Sequence, residues 1–168
     1  MVDSSLSEID VDESIRSLLI PISHCDHEMA SAGLTHRLSY SIIDYAIQKK
    51  KGTLLKLDDY HVKTLRLVVD YLLEAHQLQF MNIAKKFGEL ETICESFVAV
   101  ADELFKDKKC HWGRVFTLYA FAACLADVCA AKDNGLDLMR KLGETLTNYV
   151  SDNLTGWISK QGGWVSYL

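Results

Sequence analysis

The stretch HWGRVFTLYAFAACLADVCAA, His111–Ala131, decides the fold. The twelve residues between Arg114 and Asp127 carry no charge, no Gly and no Pro. A surface helix shows one apolar stripe, whereas a helix that is apolar all round is buried on every side. An ordinary membrane span needs about 20 apolar residues, and no stretch of the chain reaches that length. His111–Ala131 therefore reads as a central core helix wrapped by others. Its entrance, Trp112-Gly113-Arg114, sets an arginine and a bare backbone position where the polar surface meets the most apolar segment of the chain.

Helical periodicity continues on both sides. Upstream, Leu90, Ile93, Cys94, Phe97, Val98, Ala101, Leu104 and Phe105 fall on one helical face, with Val100 on its flank. Lys106–Lys109 is a charged turn. Downstream, Lys132-Asp133-Asn134-Gly135 is a helix–helix turn built from breaker residues. A helix over about Leu136–Asp152 follows, with Met139, Leu142, Leu146 and Tyr149 inward. Thr155 is expected to cap a short helix, Gly162-Gly163 to break it, and Trp164 to start a last turn.

Further upstream, Asp58 or Asp59 caps a helix from about Tyr60 to Gln77, on which Val62, Leu65, Val69 and Leu72 form one stripe beside Asp70. Gln77–Lys86 is a short helix with Phe80 and Ile83 inward, broken at Gly88. The first helix is expected from Thr35, as N-cap, to Lys50, with Leu38, Ile42 and Tyr45 inward and Gly52 as terminator. Lys49, Lys50 and Lys51 suit the negative end of the helix dipole. They read as a solvated helix end in preference to a site for an anionic surface.

Composition bounds the function. A chain of 168 residues with one proline, Pro21, is one helical domain. Residues 1–33 are Ser-rich and acidic; they read as a flexible segment, unlike an Arg-rich transit peptide, with a turn of helix around Glu13–Leu19. Residues 34–168 form the bundle. The net charge of −5 offers no footprint for nucleic acid. The five cysteines show no CxxC spacing and read as small buried hydrophobes of a reducing compartment. The six histidines are scattered; even His24 and His27, flanking Cys25, sit in the acidic tail. No metal site, cofactor, phosphate loop or nucleophile motif is expected, and the chain does not read as an enzyme.

Arg114 is the residue that needs explaining. Buried and unpaired, it costs several kcal/mol. It either forms an internal ion pair, with Glu103 or Asp107, or stands at the rim of a groove and awaits a carboxylate on a ligand. Gly113 beside it lets another backbone approach. Spacing leaves both readings open.

His111-Trp112-Gly113-Arg114 resembles the first homology motif (BH1) of the Bcl-2 family, Asn-Trp-Gly-Arg. Glu103-Leu104-Phe105-Lys106-Asp107 resembles the lead-in to that motif. Trp157-Ile158 with Gly162-Gly163-Trp164 is similar to the second motif (BH2), Leu65 with Asp70 to the third (BH3), and the first helix to the fourth (BH4). The resemblance covers about residues 35–168 in consistent order. It implies an all-α, Bcl-2-like bundle of seven to eight helices around a buried central helix. It also implies a surface groove that captures amphipathic BH3 helices of pro-apoptotic relatives, both Bak/Bax-like and BH3-only. By position, Leu72, His76, Phe80 and Ile83 form one wall and Val100, Glu103 and Leu104 the other. His111, Gly113 and Arg114 form the floor, and Arg114 pairs with the ligand aspartate.

Two departures bear on function. His111 stands where the family has Asn, and Lys106–Cys110 carries one extra residue; an imidazole titrating near pH ~6.5 gives ligand binding an expected pH dependence. Val69 replaces the small residue before the motif aspartate and would clash in a partner's groove. The expectation is a pro-survival receptor, with a membrane-permeabilising effector as the alternative. The family implies cytoplasm and mitochondrial outer membrane, with the endoplasmic reticulum as a further site. Membrane association is expected only through a C-terminal anchor missing from this sequence or through rearrangement.

Overall fold

A computed structural model describes residues 30–53, 59–86 and 92–168. The readings of residues 1–29, of Asp58 as a cap, and of Gly88 and Leu90 lie outside the described residues. Among the described residues the chain is all-α: α1 Ala30–Lys51, α2 Tyr60–Ala75, α3 Gln77–Lys86, α4 Ile93–Leu104, α5 Trp112–Cys129, α6 Gly135–Asn153, α7 Thr155–Lys160 and a closing 3-10 turn, Trp164–Ser166.

The central helix is α5. From Trp112 to Ala126 only Cys124 reaches the surface, and that partly. Helices α1, α2, α3, α4 and α6 all pack against it, as a helix with no polar face requires. One expectation needs correcting. The formed helix runs 18 residues and is long and apolar enough to cross a membrane, because Trp112, Val128 and Cys129 extend the uncharged twelve. In this fold it is core.

The start of α1 is also corrected. It begins at Ala30, five residues before the expected cap. Thr35 is buried, and its hydroxyl accepts a hydrogen bond from the Trp164 indole N–H at 2.8 Å. Leu34 adds another turn to the stripe of Leu38 and Ile42. Thr155 does not cap α7 either: its hydroxyl donates to the Val150 carbonyl at 3.2 Å. Asp59 does cap α2, its carboxylate accepting from the backbone N–H groups of His61 and Val62.

Trp112 ties the C-terminal segment to the core. Its ring lies 4.7 Å from Tyr167, 5.2 Å from Trp157, 5.4 Å from Trp164 and 5.8 Å from Phe116. Gly162 and Gly163, at φ +91° and +77°, make the turn that brings Trp164 back. Burial pushes the thiols of Cys110, Cys124 and Cys129 up to about 11, but of the described cysteines only Cys129 is fully buried; Cys94, Cys110 and Cys124 are half-buried, which corrects the expectation for them.

Two glycines separate packing from propensity. A Cβ on Gly135 would collide with the Cys129 carbonyl oxygen, whereas one on Gly33 would meet nothing within 4 Å. Gly33→Ala is expected to raise stability by about 0.5–1 kcal/mol, through helix propensity. Gly135→Ala is expected to lower it by about 1–3 kcal/mol, through the clash. Urea denaturation checks both; a Gly135→Ala variant as stable as the parent would contradict the packing.

Candidate ligand-binding site

The α4–α5 junction is built around Arg114. His111 precedes α5 in extended conformation, and its carbonyl accepts from the backbone N–H groups of Arg114 and Val115. Arg114 therefore sits in the first turn, between the ring cluster of Trp112 and the loop from Phe105 to Cys110. Its Nη2 donates to Asp107 Oδ2 at 3.0 Å, and its Nη1 donates both to Asp107 Oδ1 and to the Lys109 carbonyl, the latter at 2.6 Å. Arg114 Nε is buried without a hydrogen-bond partner.

The loop geometry makes this pairing possible. Lys108 has φ +58°, a left-handed conformation uncommon for a non-glycine residue. The turn lets the Lys109 N–H reach Asp107 Oδ1 at 3.0 Å and aims the Lys109 carbonyl at Arg114. Of the two internal partners that spacing allowed, Asp107 takes the arginine. Glu103 instead accepts from Lys106 at 3.4 Å. The Arg114 side chain is 11% exposed and that of Asp107 45%, so one member of the pair faces water. Hydrogen bonds from Arg114, and then from the Lys109 backbone, hold the Asp107 carboxyl well below the usual carboxylate range.

The other residues of the expected groove divide by burial. Leu72, Phe80, Ile83, Val100 and Leu104 are packed in the core. Val100, on the flank of the α4 stripe, is as buried as its neighbours. Gly113 is buried, His76 and Glu103 are half-buried and His111 is exposed. His76 also joins α2 to α3: its N–H donates to Leu72 and its carbonyl accepts from Phe80. Glu103, Leu104, His111, Gly113 and Arg114 thus belong to α4, α5 and the junction between them, while Leu72 belongs to α2, Phe80 and Ile83 to α3, and His76 to the link between those two helices.

Two features escape sequence reasoning. Asp70 is held from α1, accepting from the Tyr45 hydroxyl at 2.5 Å and from Lys49 Nζ at 3.0 Å. Beside it the buried Arg66 donates to the Ser41 carbonyl at 3.0 Å and lies 4.6 Å from the Tyr45 ring centroid. Burial and the Asp70 carboxylate push the Tyr45 phenol up to about 12. The second is a cavity of about 730 Å³ between α1, α2, α3 and α5, with Leu73, Met81 and Cys124 among its lining. Of the expected groove residues only Phe80 reaches it. No short motif marks it, since four helices contribute.

The family profile described as apoptosis regulator proteins, Bcl-2 family, matches residues 65–164. The chain is 28% identical over 109 residues to apoptosis regulator R11 of Xenopus laevis, covering 60% of this chain and 52% of that protein. It is 30% identical over 135 residues to Bcl-2-related ovarian killer protein homolog B of Danio rerio, covering 78% and 61%. The chain thus spans about half to three-fifths of the length of these curated relatives. In fold it is similar to the zebrafish pro-survival protein NRZ, solved in complex with Bad BH3. The TM-score is 0.70 at 23% identity, over 79% of this chain and 88% of that one.

The Asp107–Arg114 pair has a pH signature. The Asp107 pKa is depressed in the fold from about 3.9 in the unfolded chain. Its stabilising contribution is therefore full above about pH 3.9 and is lost progressively as pH falls from there through the folded value. Carboxyl carbon NMR is expected to show an Asp107 midpoint below about 3.9 that rises towards that value in Arg114→Ala; a midpoint unmoved by the substitution would contradict the pairing.

Proposed function

We propose a pro-survival role for this chain, which belongs to the Bcl-2 family of apoptosis regulators. In this reading it is a non-enzymatic receptor for BH3 helices of pro-apoptotic relatives, acting in the cytoplasm and at the mitochondrial outer membrane. The observation that carries the reading is the fastening of α2. An effector must release this helix to a partner. Here Leu65, Val68, Val69 and Leu72 are all fully buried. The Asp70–Tyr45–Lys49 contacts and Arg66 add polar links to α1. Val69 leaves no small face for another groove to receive. A helix so held suits a receptor better than a donor.

The groove proposed for the ligand lies between α3 and α4 above the N-terminus of α5. Leu72, Phe80, Ile83, Val100 and Leu104 line it once α3 and α4 part. A ligand helix offers about four apolar anchors to these side chains and an aspartate to Arg114. His76, Glu103, His111 and Gly113 complete its polar edge and floor. That a related pro-survival protein was solved with a BH3 segment supports this choice of partner.

A second reading, a membrane-permeabilising effector, draws on α5, which is long and apolar enough to span a bilayer, and on similarity to an ovarian killer protein. Two measurements separate the readings. Titration calorimetry against a panel of BH3 helices is expected to detect binding that weakens by about 2–5 kcal/mol in Arg114→Ala. Added to dye-loaded liposomes with an activating helix, the chain is expected to suppress release by a separate effector. Dye release by the chain itself would establish the effector reading, and no binding to any helix would dismiss the groove.

A further inference from the structure

Arg114 has little left to offer a second carboxylate. A guanidinium presents two forked edges, Nη1 with Nη2 and Nη2 with Nε. Asp107 takes the first edge in bidentate fashion, and the Lys109 carbonyl takes the remaining Nη1 proton. The second edge ends at Nε, which is buried and unpartnered. A ligand carboxylate arriving from solvent therefore finds neither fork open. Two carboxylates crowding one arginine also repel each other.

We propose that Asp107 is a built-in competitor for the ligand's aspartate, so that binding at Arg114 proceeds by carboxylate exchange. The proposal rests on the groove reading above and adds a regulator to it. The geometry suits exchange better than permanent closure. Asp107 is on the solvent side of the pair, close to half exposed, while Arg114 is fixed in the first turn of α5. The loop that carries Asp107 turns through Lys108 at φ +58°, a conformation that costs a non-glycine residue free energy. Release of Asp107 frees the loop from that turn. It also leaves three exposed lysines, Lys106, Lys108 and Lys109, beside the vacated arginine. The matching ligand is an amphipathic helix with further carboxylates near its anchoring aspartate, since these meet the lysines once Asp107 has swung away.

The test is calorimetric titration of the full chain with a BH3 helix carrying its aspartate, and with the same helix carrying asparagine there. Asp107→Asn keeps the shape and removes the charge; Asp107→Ser serves if the first variant melts lower than the parent. Either is expected to bind the aspartate helix about three- to fivefold more tightly than the parent. The gain is expected to vanish with the asparagine helix, and again when Asp107→Asn is placed in an Arg114→Ala background. A parent and variant that bind the aspartate helix equally overturn the competitor and leave the groove reading intact. A gain that persists in the Arg114→Ala background overturns it as well. Absence of binding by parent and variants alike rejects the groove reading itself, and the competitor with it.

Discussion

A helix without a polar face can exist in water only if other helices cover it. That constraint on α5 organises the molecule. From Val115 to Ala126 no side chain offers water a charge, and five helices close over it. Burying one large aliphatic or aromatic side chain is worth about 1.5–3 kcal/mol. Val115, Phe116, Leu118, Tyr119, Phe121 and Leu125 are all almost wholly buried in this one helix. One buried polar pair is matched across the core: Tyr119 and Ser39 share a hydrogen bond of 3.2 Å between α5 and α1.

The same constraint creates the α4–α5 junction. A helix buried to its first turn must bring the polar chain in somewhere, and it does so at Arg114. The ring cluster around Trp112 fixes that turn from the C-terminal side, and the Asp107 loop meets it from the other. Arg114 is thereby held, charged, in the first turn of α5 and paired with the half-exposed Asp107. These are the properties of a polar anchor for an acidic helix. Its internal partner changes the picture of the free state, because the anchor is already engaged. At the far side of α5, α2 is fastened by apolar burial and by the links to Tyr45 and Lys49.

Much of the fold was legible in the chain because helical period, caps and breakers act locally. Asp59, the stripe from Val62 to Leu72, and Gly162-Gly163 marked their elements within a residue or two. What was not legible depends on distant partners. Thr35 looks like a cap, but its hydroxyl is committed to Trp164, far along the chain. Glu103 and Asp107 are equally plausible partners for Arg114 by spacing. The left-handed turn at Lys108 decides between them, and no glycine announces it. Motif position gave an expected set of groove side chains, but whether Val100 or Phe80 faces ligand or core depends on how far α3 and α4 stand apart. Periodicity carries no information about that distance. The cavity between α1, α2, α3 and α5 eluded the sequence for the same reason.

The central claim is that Arg114 recognises the aspartate of a ligand helix. A double-mutant cycle addresses it most directly, pairing Arg114→Ala in this chain with replacement of that aspartate by alanine in a BH3 helix. Calorimetric affinities for the four combinations are expected to give a coupling energy of about 1.5 kcal/mol or more, within the range of close interfacial charge pairs. A coupling energy indistinguishable from zero, with the unmodified pair still binding, would contradict the claim.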